Sequence, residues 1–138
     1  MTTPPEVADG PWRVLIVDDE PLNRALLEVM LAGQGYELLT AASGEAALAI
    51  VAQQRPDLIL LDIMMPGMDG YQVAATIKAN AATRQIPIIM LSALDDRNSM
   101  MHGLNAGAED FLSKPVDRAE LTARVGNLLR LVKDQRPD

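Results

Sequence analysis

Five short apolar runs recur along this chain, and each is followed by a stretch with the apolar spacing of a helix. The first run, residues 13–17, ends at two aspartates, and Leu22, Leu26 and Val29 then fall on one helical face. Further strands are predicted at 36–41, 58–61, 86–91 and 110–113, and helices at about 21–32, 43–54, 71–80, 95–106 and 117–132. Strict alternation of strands and helices predicts a parallel sheet covered by helices on both faces.

The third run, residues 58–61, is apolar at every position. A strand without polar alternation is buried on both faces, as in a parallel sheet between two helical layers. Right-handed crossovers leave few topologies for such a sheet. The predicted fold class is therefore α/β: a doubly wound, flavodoxin-like, five-stranded parallel sheet in the order 2-1-3-4-5.

Composition excludes several classes of function. The 138 residues contain no cysteine and one histidine, so disulfide scaffolds, thiolate zinc sites, cysteine nucleophiles and multi-histidine metal sites are excluded. A net charge of −7 argues against direct binding of nucleic acid or of an anionic membrane. The apolar runs are far shorter than the roughly 20 residues that span a bilayer, and a cytoplasmic location is expected.

The length fits one domain. Residues 1–11 lack a basic start and an apolar signal core, and they are expected to form a disordered lead-in. The domain itself is predicted at 12–133. Residues 134–138 are interpreted as a C-terminal tail or a truncated linker.

Three carboxylates follow two strands that the predicted order makes neighbours. Asp18 and Asp19 follow the first strand and Asp62 follows the third, so all three face the crevice at the carboxyl ends of the strands. A hard cation such as Mg²⁺ relieves their mutual repulsion. Ser92 and Lys114, at two other strand ends, add a hydroxyl and an ammonium. This set suits phosphoryl transfer, with Asp62 as the nucleophile because a rigid buried strand holds it.

The chain resembles the receiver domain of two-component response regulators. The resemblance covers residues 13–132 and is carried by VLIVDDE (14–20), LDIMMPGMDG (61–70), LSA (91–93) and KP (114–115). Four such segments, in this order and at these separations, are far more specific than any one of them alone.

The resemblance implies a phosphorylation-dependent signalling switch in which Asp62 accepts a phosphoryl group from a histidine kinase or phosphotransfer protein. It also implies that Mg²⁺ is held by Asp18, Asp19, Asp62 and the backbone carbonyl of Met64. Lys114 is then the phosphate-binding ammonium, followed by a cis peptide bond to Pro115. The switch residues are the hydroxyl residue Ser92 and the aromatic residue Phe111.

Activity and partners follow from the same resemblance. The chain is expected to catalyse its own phosphorylation and dephosphorylation, and not to turn over a small substrate. Phosphorylation is expected to change the surface of the fourth helix, fifth strand and fifth helix. That surface would then control an output domain or a separate effector, and it is a candidate homodimer interface.

Two other functions fit parts of the pattern. The first is a metal-dependent phosphatase with an aspartate nucleophile; such enzymes usually carry a second aspartate two residues later, where this chain has Met64. The second is a pseudo-receiver that acts only as an interaction module, which the presence of every chemical residue disfavours.

Overall fold

The computed structural model describes residues 11–93 and 97–135. Within these residues, strands and helices alternate as the apolar runs predict. The strands are β1 Arg13–Val17, β2 Glu37–Ala41, β3 Leu58–Asp62, β4 Ile88–Ser92 and β5 Asp110–Ser113. The helices are α1 Pro21–Leu31, α2 Gly44–Gln54, α3 Gly70–Ala79, α4 Arg97–Asn105 and α5 Arg118–Gln135.

The strands form one parallel sheet in the order β2-β1-β3-β4-β5, which confirms the predicted fold class. Every residue of β3 and β4 is buried, whereas β2 and β5 at the edges keep exposed positions. In the register, Val17 of β1 lies opposite Leu61 of β3, and Asp62 lies opposite Leu91 of β4. The carboxyl ends of these three strands therefore meet at one edge of the sheet.

Side chains of the central strands point alternately to two apolar clusters, one on each face of the sheet. Leu15 and Ile59 belong to the cluster that also contains buried side chains of α2 and α3. Ile16 and Leu60 belong to the cluster built with α1 and α5. Helices on both faces thus bury both sides of the sheet, which explains why β3 has no polar alternation.

Polar side chains cap the N-termini of several helices. The hydroxyl of Ser43 accepts a hydrogen bond from the Ala46 N–H, as its predicted capping role requires. The carboxylate of Asp117 likewise accepts from the N–H of Glu120. α3 begins at Gly70, one residue before its predicted start, because Asp69 forms a capping box with Gln72.

Some predicted boundaries lie outside the described residues. These are residues 1–10 of the expected lead-in, residues 94–96 before α4 and the last three residues of the chain. α5 continues to Gln135, two residues beyond the expected domain boundary at 133. Among the helices that the structure describes, none combines the length and apolar character needed to span a bilayer.

Candidate active site

The carboxylates of Asp18, Asp19 and Asp62 lie together at the carboxyl edge of the sheet. Each offers an oxygen, and these three oxygens lie within 4.8 Å of one another. Asp18 and Asp62 are buried, and Asp19 is half-buried. The site therefore presents only oxygen ligands, and these fit a hard divalent cation such as Mg²⁺.

Lys114 links two of these carboxylates. Its Nζ lies 3.2 Å from Asp18 Oδ2 and 3.2 Å from Asp62 Oδ1. The side chain is 23% exposed, so the ammonium reaches the cluster while keeping access to solvent. The Lys114 N–H also donates to the Ser92 carbonyl oxygen at 2.7 Å, which fixes the chain just before the cis Lys114–Pro115 peptide.

Burial and charge shift the pKa values of this pair. Burial raises the pKa of Asp62, and the negative charge of Asp18 raises it further; the nearby Lys114 ammonium lowers it but does not cancel the rise. Burial acts to lower the pKa of Lys114, yet the charges of Asp62 and Asp18 outweigh burial and raise it. Lys114 is therefore a cation at neutral pH. A metal cation bound by the carboxylate cluster would favour the ionised form of Asp62.

Ser92 and Phe111 lie on the adjoining strands. Ser92 ends β4 and is fully buried, next to β3, which ends in Asp62. Phe111 lies in β5 opposite Met90 and packs against the cluster on the α2 and α3 face. A Cβ added to Gly103 of α4 would lie 3.6 Å from the Phe111 ring, so this ring lies close under α4.

Met64 lies in the loop between β3 and α3, two residues after Asp62. Its backbone N–H hydrogen-bonds to the Asp62 carboxylate. Met64 itself is 59% exposed. The loop that follows Asp62 thus touches the carboxylate through its backbone.

Sequence reasoning missed two residues that shape the site. The Arg24 guanidinium of α1 donates to the backbone carbonyl of Asp18 at 2.7 Å and anchors the loop that carries two carboxylates. Gly70 lies where a Cβ would be 2.5 Å from the Asp62 carbonyl oxygen. No pattern in the sequence signals the reach of Arg24, whereas Gly70 belongs to segment 61–70, which carries the family resemblance.

Comparison with known proteins identifies the family. The sequence matches the family described as "Response regulator receiver domain" over residues 14–126. The chain belongs to this family, which confirms the resemblance seen in the sequence and favours the receiver interpretation over both alternatives. It is a signalling domain of two-component systems.

Curated relatives share much of the sequence. The response regulator PleD of Caulobacter vibrioides (strain NA1000 / CB15N) is 49% identical over 118 residues, which are 86% of this chain and 26% of PleD. The transcriptional regulatory protein AfsQ1 of Streptomyces coelicolor is 44% identical over 117 residues, which are 85% of this chain and 51% of AfsQ1. The chain thus spans between a quarter and about half of these relatives.

Solved structures agree with the fold. The receiver domain of the sensor histidine kinase PA1611 from Pseudomonas aeruginosa PAO1 is 35% identical, with a TM-score of 0.80 over 87% of this chain and 98% of that one. That receiver has a magnesium ion coordinated in its active site cleft. A CheY-like receiver domain protein from Methanospirillum hungatei JF-1 is 26% identical, with a TM-score of 0.85 over 92% of this chain and 100% of that one.

Proposed function

We propose that this chain is a phosphorylation-controlled switch in which Asp62 accepts a phosphoryl group from a phosphohistidine of a histidine kinase or phosphotransfer protein. The observation that carries the proposal is the position of Lys114 Nζ, 3.2 Å from both Asp18 and Asp62 within the carboxylate cluster. Family membership supports the same reaction.

Asp62 is the nucleophile. One carboxylate oxygen forms a bond to phosphorus while the bond from phosphorus to the donor nitrogen breaks, and that nitrogen keeps the electron pair. β3 is buried at every residue and holds the carboxylate in place, so little orientational freedom is lost in reaching the transition state. Lys114 binds a phosphoryl oxygen as the transferred group adds negative charge to the site.

The metal-ligand set is Asp18, Asp19, Asp62 and the backbone carbonyl of Met64. The convergence of three carboxylate oxygens within 4.8 Å supports this set, as does the magnesium ion in the PA1611 receiver. Mg²⁺, when bound, supplies positive charge that offsets the carboxylates and the phosphoryl oxygens. Arg24 and the Glu20 N–H, which donates to Asp18 Oδ1 at 2.9 Å, hold Asp18 in orientation.

The switch residues are Ser92 and Phe111. The Ser92 hydroxyl donates a hydrogen bond to the phosphoryl group and so moves toward Asp62. The movement of Ser92 leaves space into which the Phe111 ring moves. Because this ring lies close to Gly103 of α4, its movement is transmitted to α4. A local change in hydrogen bonding thereby shifts the equilibrium between two packing arrangements of the face formed by α4, β5 and α5.

Loss of the phosphoryl group occurs at the same site. Water attacks phosphorus, the bond to the Asp62 oxygen breaks, and inorganic phosphate leaves while Asp62 returns to a carboxylate. The chain therefore catalyses its own dephosphorylation.

Once Asp62 is phosphorylated, the face formed by α4, β5 and α5 controls an output domain or a separate effector. The same face is the surface of a homodimer. AfsQ1, a transcriptional regulatory protein, extends well beyond the segment that this chain matches, as does PleD. Those extensions support an output domain as the controlled element.

Labelling with acetyl phosphate and Mg²⁺ tests the proposal. We expect wild type to gain one phosphoryl group by intact mass, and Asp62→Asn to gain none. Asp57→Asn is the matched control: Asp57 lies outside the cluster, where its carboxylate accepts from the Arg13 N–H, and this variant should label like wild type. Stoichiometric labelling of Asp62→Asn would overturn the assignment.

A further inference from the structure

Two stacked rings join the start of α3 to α4. The centroids of the Tyr71 and His102 rings lie 3.9 Å apart, and their planes are within 7° of parallel. The rings therefore overlap face to face, closer together than the roughly 4.5–7 Å that separates most aromatic pairs. Neither phosphoryl transfer to Asp62 nor the proposed movement of Ser92 and Phe111 explains this stack.

The backbone beside Asp62 anchors the tyrosine of the stack. Tyr71 follows Gly70, whose N–H donates to the Ile63 carbonyl at 3.0 Å. Gly70 packs so closely that a Cβ there would lie 2.5 Å from the Asp62 carbonyl oxygen. The Tyr71 ring itself is half-buried and packs against the apolar cluster on the α2 and α3 face. One half of the stack is therefore fixed relative to the phosphorylation site.

The other half of the stack belongs to a helix with few buried positions. Of residues 101–105 in α4, only Gly103 is buried. A Cβ on Gly103 would lie 3.8 Å from the Tyr71 ring and 3.6 Å from the Phe111 ring. Since His102 adjoins Gly103, its stacked imidazole extends the contact between α4 and Tyr71. This part of α4 thus packs on two rings, of which Phe111 is a proposed switch residue.

We infer that the Tyr71–His102 stack holds α4 in the position described here and separates when a phosphoryl group is bound at Asp62. The inference rests on the proposed function, in which Phe111 moves and α4 responds. Helices at such interfaces typically shift by about 1–2 Å, enough to separate two rings in face-to-face contact. The stack therefore opposes the phosphorylated arrangement, and by linkage its loss should tighten binding of a phosphoryl mimic. Tyr71 and His102 are positioning residues in this scheme.

Proton NMR can observe the stack directly, because His102 is the one histidine of the sequence. Its two carbon-bound imidazole protons are identified without ambiguity, and the ring current of Tyr71 should shift them upfield of their positions in the urea-unfolded chain. Spectra are recorded at one fixed pH with Mg²⁺, before and after addition of beryllofluoride, which mimics a phosphoryl group on a carboxylate. We expect the upfield shift with Mg²⁺ alone and its loss with beryllofluoride.

Matched variants measure what the stack contributes. Tyr71→Leu and His102→Gln each remove one ring, and each should bind beryllofluoride roughly two- to tenfold more tightly in calorimetric titrations, the factor that a typical aromatic pair supplies. The double variant should gain no more than either single variant. Tyr71→Phe keeps the ring and should bind like wild type. Asn105→Gln is the control on α4, because Asn105 is exposed and lies outside the stack.

The outcomes separate this inference from the proposed function. Failure of wild type to bind beryllofluoride would refute the proposed function. Binding that leaves the His102 protons shifted upfield would overturn the role of the stack alone, as would single variants that bind no more tightly than wild type. A Tyr71→Phe variant that behaves like Tyr71→Leu would also overturn it, because the phenol hydroxyl and not the stacked ring would then be responsible.

Discussion

At the scale of single residues, the surroundings of Asp62 disfavour the ionised form of its carboxylate. Burial and the neighbouring Asp18 raise its pKa, and Lys114 compensates only in part. A carboxylate whose folded pKa lies above its ordinary 3.8 binds its proton more tightly in the folded chain than in the unfolded one. Folding stability therefore falls as the pH rises from about 4 through the raised pKa of Asp62.

Asp62→Asn removes this cost and should stabilise the metal-free protein. We expect its melting temperature in EDTA at pH 7 to exceed that of wild type by roughly 3–5 °C, the shift that about 1 kcal/mol produces in a domain of this size. Below pH 4 the two proteins should melt together, because Asp62 is then protonated. Thermal melts across this pH range measure the difference. A variant less stable than wild type at pH 7 would contradict the argument.

Gly70 is a second residue whose identity the site requires. A Cβ there would lie 2.5 Å from the Asp62 carbonyl oxygen and 2.7 Å from Ile63 Cα, and both are backbone atoms that cannot move aside cheaply. Gly70→Ala should cost about 1–3 kcal/mol of unfolding free energy and slow labelling of Asp62. Gly126→Ala in α5, where nothing lies within 4 Å, should instead stabilise by about 0.5–1 kcal/mol. Urea unfolding compares them, and equal effects would refute the steric account.

At the scale of elements, Lys78 ties α3 to the segments before β4 and β5. Its Nζ donates to the carbonyls of Arg84 and Ile86, at 3.0 and 2.7 Å, and lies 2.7 Å from Glu109 Oε2. Glu109 in turn accepts from the Ile88 N–H at 2.8 Å. These contacts lie at the end of the sheet opposite the carboxylates, so they bear on stability and not on chemistry.

We expect Lys78→Met to lower the free energy of unfolding by about 2 kcal/mol, because the variant leaves Glu109 and two carbonyls without their charged donor. Glu37→Gln is the control. It removes the charge from an ion pair with Arg13 whose side chains are both more than 40% exposed, and it should cost less than about 1 kcal/mol. Urea titrations measure both variants. A Lys78→Met loss no larger than that of Glu37→Gln would show that the network adds no more than a surface pair.

Sequence patterns predicted the elements better than the contacts between them. The apolar run of β3 and the carboxylates after β1 and β3 follow from local periodicity and from the rule that strand ends share an edge. The start of α3 was displaced by one residue because Asp69 forms a capping box with Gln72. Arg24 and Lys78 could not be predicted, since long side chains reach partners that only the folded backbone brings near.

At the scale of the whole molecule, the two faces of the sheet are packed against different elements. α1 borders the carboxylate cluster and an adjoining cavity, and it packs with α5 on one face. Phe111 and Ala106, at β5 and just after α4, pack on the other face. β3 and β4 are buried between these layers.

Binding of a cation at the carboxylate cluster should raise the free energy of unfolding of the whole chain. An ion that binds the folded cluster alone adds RT ln(1 + [L]/Kd), about 2.7 kcal/mol at a hundred times Kd. We therefore expect Mg²⁺ to raise the melting temperature at pH 7 and to raise it further with each increase in concentration.

The control for that experiment is NaCl at matched ionic strength, because a chain with a net charge of −7 also gains stability from general screening. Asp19→Asn is the informative variant, since Asp19 is the half-buried member of the cluster and its replacement perturbs packing least. It should retain the response to NaCl and lose most of the response to Mg²⁺. Equal melting shifts from the two salts in wild type would refute a specific cation site, because screening alone would then account for the stabilisation.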